Sequence, residues 1–221
     1  MTRQIIGLAA LLTTLAIIAA GVAVGASLPA DVQLPVHWGL DGRPDRFSDK
    51  WTALLLPAIM TGGVSLLFWF LPALEPRKEG LERSQGLYLA GWTGLLLVGS
   101  AVQLAVVSVA LGWDIQVNRL ICLAVGAMLV LIGNQLGKSR SMYMMGVRTP
   151  WTLASEEVWI RTHRLAGKLM VAAGLLAMLL AMLPVPPALM MQGMLVAAVG
   201  AAGIPVVYSW LLWRRENQVS E

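Results

Sequence analysis

Residues 133–164 read GNQLGKSRSMYMMGVRTPWTLASEEVWIRTHR, and this stretch separates two long apolar runs. It carries five of the sixteen Lys and Arg residues together with Tyr143, Trp151 and Trp159. Thr149-Pro150-Trp151-Thr152 is a helix start. Proline suits the first turn, where its missing N–H has no partner to lose, and either Thr149 or Thr152 can cap. From there Trp151, Ala154, Val158, Thr162 and Leu165 share one stripe at helical spacing, with Glu157 and Arg161 four apart on another face. The pattern predicts a short amphipathic helix that lies at a membrane surface and runs into the next apolar run. Trp151 and Trp159 differ by about 80° around such a helix, at roughly 100° per residue. One then faces the bundle and the other the interface. Thr152, Ser155 and His163 border a polar patch with Arg148, Arg161 and Arg164.

Composition says what lies on either side. Hydrophobic residues make up 57% of the 221, charged residues 13%, and the mean hydropathy is +0.72, outside the range of soluble domains. A span needs about 20 apolar residues. Runs at 5–26, 52–74, 87–111, 117–136, 165–183 and 189–213 qualify. The expected fold is therefore all-α, with six transmembrane helices, a polar loop after the first and the amphipathic helix between the fourth and fifth. The first run is longer than the apolar part of a signal peptide and is read as a retained helix. With the N-terminus inside, twelve basic residues fall in cytoplasmic segments and Arg43, Arg46, Lys50 and Arg119 fall outside. That asymmetry puts both termini in the cytoplasm and explains the net charge of +4 without nucleic acid.

Gly133-Asn134, Lys138-x-Arg140, the run from Gly146-Val147-Arg148-Thr149-Pro150-Trp151-Thr152-Leu153, Glu157-Val158-Trp159 and Thr162-His163-Arg164 together resemble the core motif of the SdpI family. These are bacterial integral membrane proteins named for immunity to a secreted sporulation-delaying toxin. Ser141-Met142 stands where many members have Pro-Asn. The resemblance implies a multi-pass protein of the bacterial plasma membrane, non-enzymatic, in contact with lipid, a secreted peptide toxin and a cytoplasmic winged-helix repressor. It also implies a partner-binding role for Asn134, Arg140, Gly146, Arg148, Thr149, Pro150, Trp151, Thr152, Trp159, Arg161, Thr162, His163 and Arg164. The loop at 27–51, with Pro35, His37, Trp38, Gly42 and Asp45, is similar to a small domain of unknown function that often precedes the SdpI core, with Gly39 where Asn is usual. The chain then divides into a two-helix unit at 1–80 and a four-helix core at 81–221.

The remaining polar residues are read against other chemistries. All twelve Asp and Glu residues fall in loops or tails and neither His lies in the middle of a span, whereas ion-coupled carriers retain ionisable groups at depth. Arg148, Glu157 and His163 are the residues left for the alternative, a carrier or membrane enzyme with its site at the cytoplasmic mouth. No nucleophile–base–orienter set accompanies them. His37 with Asp41, Asp45 and Asp49 has a second reading as metal ligands, set against three basic neighbours, and no metal or cofactor is expected. Cys122 is alone, so no disulfide forms within the chain. The loop at 75–86 reads as a plain turn. Asn134 is expected to position the motif loop, Gly21-x-x-x-Gly25 to admit a neighbouring backbone, and Pro205 to kink the last helix.

Overall fold

The computed structural model describes residues 2–219. Six of its helices are long and apolar enough to cross a membrane, and the protein is an all-α, six-span membrane protein. Helix α1 (Arg3–Ser27) starts at Thr2, whose hydroxyl accepts from the Ile5 N–H. Strands β1 (Gln33–Trp38) and β2 (Pro44–Asp49) follow, then α2 (Lys50–Leu74), the short α3 (Lys78–Arg83) and α4 (Gln85–Ala110). Next come α5 (Val117–Leu136), the five-residue α6 (Pro150–Ala154), α7 (Glu156–Met182) and α8 (Pro187–Val219). Packing divides the spans into two groups. α1, α2 and α4 pack on one another, α7 packs on both α5 and α8, and α4 joins α5. Large apolar side chains such as Ile59, Leu67, Met182 and Val196 point outward, as lipid-facing positions do.

The tightest seam lies between α5 and α7, and glycine creates it. A Cβ on Gly133 would stand 2.8 Å from the Gly167 carbonyl oxygen, and one on Gly167 would stand 2.6 Å from that of Gly133. Gly126 and Gly174 repeat the arrangement seven residues away on each helix. Without side chains at these four positions the backbones touch, which in lipid supplies dispersion contacts that no hydrophobic effect between helices replaces. Gly21 likewise admits the Leu54 backbone of α2 against α1, as the glycine spacing predicts, while Gly25 makes room for the Trp51 ring.

Two elements differ from expectation. The polar loop is a two-stranded antiparallel hairpin, pairing Leu34 with Ser48 and Pro35 with Phe47, with irregular register around His37. Leu34 is buried against Ala53, Leu54 and Val106, so the hairpin sits on α2 and α4. Its tip reaches further: Asn118 Nδ2 donates to the Gly42 carbonyl at 2.7 Å, and a Cβ on Gly42 would meet Pro187. Asp49 closes the hairpin and caps α2, its carboxylate accepting from the Trp51 and Thr52 N–H groups at 3.0 Å. The expected amphipathic helix is the second difference. Ser155 has extended backbone (φ −126°, ψ 122°), so α6 stops and Ser155 caps a new helix through the Val158 N–H. Trp159, Thr162 and His163 therefore lie on the first turns of spanning helix α7, where a surface helix had been expected. α8, in turn, continues through Pro205 as one helix.

Candidate functional site

The segment between α5 and α7 folds over the ends of both helix groups, at the end of the bundle opposite the hairpin. Its centre is His163, which is fully buried. The Val147 N–H donates to its Nε2 at 2.9 Å, so that nitrogen carries no proton. Nδ1 therefore carries it and donates to the Trp159 carbonyl one turn back, at 2.8 Å. Trp159, also fully buried, stacks on the imidazole with ring centroids 3.9 Å apart. Gly146 permits this approach. Its φ of 107° is one that only glycine adopts without strain, and a Cβ there would lie 2.5 Å from His163 Nε2.

The next turn is locked by hydroxyls. Thr149 accepts from the Thr152 N–H, the Thr149 N–H donates to Thr152 Oγ1, and Pro150 occupies the first helical position. Thr152 Oγ1 donates in turn to the Val147 or Thr149 carbonyl, at 2.8 and 3.0 Å. Trp151 leaves the loop toward α8, where its indole N–H donates to Ser209 Oγ and its ring lies 6.4 Å from that of Trp213.

A carboxylate from the other helix group holds the loop from beneath. Glu75 ends α2 and is 1% exposed. Its two oxygens accept from the N–H groups of Arg77, Tyr143 and Met144 at 2.8–3.1 Å. Arg77 bonds Ser141 Oγ and the Leu153 carbonyl, and its guanidinium lies 4.7 Å from the Tyr143 ring centroid. Ser84 Oγ accepts from the Arg140 N–H at 2.8 Å. The loop at 75–86, read as a plain turn, is the anchor of the motif. Its signal was an acid directly after an apolar run, fixed there by Pro76; mixed charges in the same loop hid it.

Other motif residues take different places. Thr152 and His163 are fully buried, so the polar patch expected around them does not exist. Thr162 is also fully buried, with its hydroxyl unpartnered. Arg161 and Arg164 are exposed, as is Arg148, which donates to the Tyr143 carbonyl at 2.7 Å within its own loop and, among the described residues, makes no hydrogen bond to the end of α5. Asn134 is exposed on α5 and does not bridge to the loop. Glu157 is exposed while His163 is enclosed with both ring nitrogens engaged, so Arg148, Glu157 and His163 do not form a common site. On the hairpin, His37 Nδ1 lies 2.6 Å from Asp45 Oδ1, both side chains about half exposed. Such a surface contact is worth at most about 1 kcal/mol. No three His, Cys, Asp or Glu side chains converge among the described residues.

Residues 138–209 match the SdpI/YfhL protein family, beginning in the loop and ending at the serine that receives the Trp151 indole. Residues 12–61 match a domain of unknown function, DUF1648. An immunity protein, SdpI of Bacillus subtilis (strain 168), is 25% identical over 142 residues, which is 64% of this chain and 66% of that protein. Over residues 138–209 the chain is similar to the SdpI family. It matches just under two thirds of that relative's length, and no solved structure matches it. Glu75 and Arg77 fall between the two family segments, yet they hold the SdpI segment's loop in place.

Proposed function

We propose that the chain is a non-enzymatic immunity and signalling protein of the bacterial plasma membrane. The hairpin side faces outward and meets a secreted membrane-active peptide, and the motif side faces the cytoplasm, where it holds a cytoplasmic regulator. The observation that carries this reading is the arrangement of the motif: its interior is closed by Glu75, His163 and Thr152, while Arg148, Arg161 and Arg164 remain exposed around it. A rigid loop rimmed by cations offers an acidic protein surface a fixed template. The relationship to an immunity protein supports the toxin half, and the excess of basic residues at the motif end supports the sidedness.

Two measurements on one set of strains test it. Expression in a bacterium killed by the toxin that the Bacillus relative resists should raise survival, and a soluble regulator should co-sediment with the membranes. Arg161→Glu with Arg164→Glu should insert normally and lose the co-sedimenting protein. Unchanged survival with wild-type chain removes the immunity reading; unchanged recruitment by the double variant removes the signalling one.

A further inference from the structure

At the motif end α2 and α8 stand apart without extended packing, and the space between them is a cleft of about 760 Å3. Leu67 and Phe68 of α2, Ile132 of α5, Met170 of α7, and Ala202 and Val206 of α8 form its walls. Leu67, Ala202 and Val206 are exposed, so the cleft is open on one side along the spans. The motif loop roofs it, with Arg148 and Thr149 at the rim, and no Asp or Glu among the described residues lines it. Its volume is that of an ordinary ligand site.

The surroundings decide the occupant. An apolar cleft that opens sideways within a bilayer is filled by hydrocarbon, since water there finds no polar partner. At the rim Arg148 gives Nη1 to the Tyr143 carbonyl and has no carboxylate partner among the described residues. A guanidinium held in this way above an acyl-sized groove complements a phosphate, to which it can offer paired N–H bonds. The other large cavity, beside Arg77, Lys78, Arg83 and Arg140, includes Glu79 and Glu156 in its lining and offers an anion no such unopposed charge. We propose that the α2–α8 cleft binds an anionic phospholipid, with one acyl chain between the helices and its phosphate at Arg148.

Native mass spectrometry on the full chain, purified from an equal mixture of phosphatidylglycerol and phosphatidylcholine with matched acyl chains, tests this. The wild-type chain should retain one lipid and favour phosphatidylglycerol by about fivefold, the effect of one basic side chain near anionic lipid. Arg148→Gln, at an exposed position that does not threaten folding, should bring the two lipids to parity. Lys78→Gln removes equal charge outside the cleft and should leave the preference intact. Ala202→Trp fills the cleft from its open side and should lose both lipids, and glycerol phosphate, a headgroup without chains, should displace neither. No retained lipid, equal loss of preference in Lys78→Gln and Arg148→Gln, or full retention in Ala202→Trp each overturns the proposal. Lipid retention is independent of which side faces the cytoplasm.

Discussion

At Gly146 one absent methyl group lets Val147 reach His163. Gly146→Ala places a Cβ 2.5 Å from Nε2 on a φ of 107°, and should cost about 1–3 kcal/mol, read as a lower thermal unfolding temperature in detergent. The loss should be accompanied by weaker protection of the Val147 amide in hydrogen exchange. Glu75→Gln keeps shape but leaves one oxygen for three N–H donors, and should destabilise by about 2–3 kcal/mol. An unchanged unfolding temperature in Glu75→Gln would mean that the carboxylate does not hold the loop. The Thr149–Thr152 cap was legible, because Thr-Pro followed by a hydroxyl is a local helix-start signal. His163 was legible only as a motif member. Its burial and its bond to Val147 depend on a turn sixteen residues away, which no local pattern encodes. Glu75 was missed for the same reason at longer range, its donors lying 68 and 69 residues on.

Among the elements, the six spans followed from hydropathy, since length and apolar content are all that a lipid environment demands of them. The hairpin had a signal too: Val32, Leu34, Val36 and Trp38 recur with a period of two that marks a half-buried strand, opposite the exposed Gln33 and His37 and interrupted by the buried Pro35. The break at Ser155 was likewise written in Ser-Glu-Glu, a cap followed by acids in a first turn. The continuous helical stripe from Trp151 to Leu165 masked it. The α5–α7 seam was not legible, because a glycine every seven residues means little until a second helix carries the same spacing. Gly167→Ala puts a Cβ 2.6 Å from the Gly133 carbonyl and should lower stability. Gly63→Ala, with open space around it, should be neutral in the same thermal assay. Asp49 adds a pH test. The Thr52 hydroxyl, followed by the Thr52 and Trp51 N–H groups, holds its carboxyl below the ordinary aspartate value of about 3.9. A depressed folded pKa stabilises above that value and is lost as pH falls through the folded one. Below about pH 4 the hairpin should therefore loosen from α2 in the wild type. In Asp49→Asn that acid-dependent component should disappear, as followed by amide exchange at Trp51 and Thr52.

For the whole molecule the basic residues predict a single orientation. In a chain with Cys122 replaced, Lys138→Cys should resist an impermeant thiol reagent in intact cells while Phe47→Cys reacts; both side chains are exposed. The opposite pattern would invert the topology and, with it, the roles given to hairpin and loop. The buried carboxylate of Glu75 also sets an order of events during synthesis. The ribosome finishes Glu75 long before Tyr143 and Met144 exist, so the newly made α2 ends in a carboxyl group whose partners at that stage are the adjacent Arg77 N–H and water. So polar an end should keep this terminus of α2 at the membrane surface until the loop arrives. When the loop emerges, its two N–H groups dehydrate the carboxylate and close the bundle from the end. The chain thus carries an early residue that waits for a late one, and the cationic rim takes its shape only after both halves of the protein have been made and inserted.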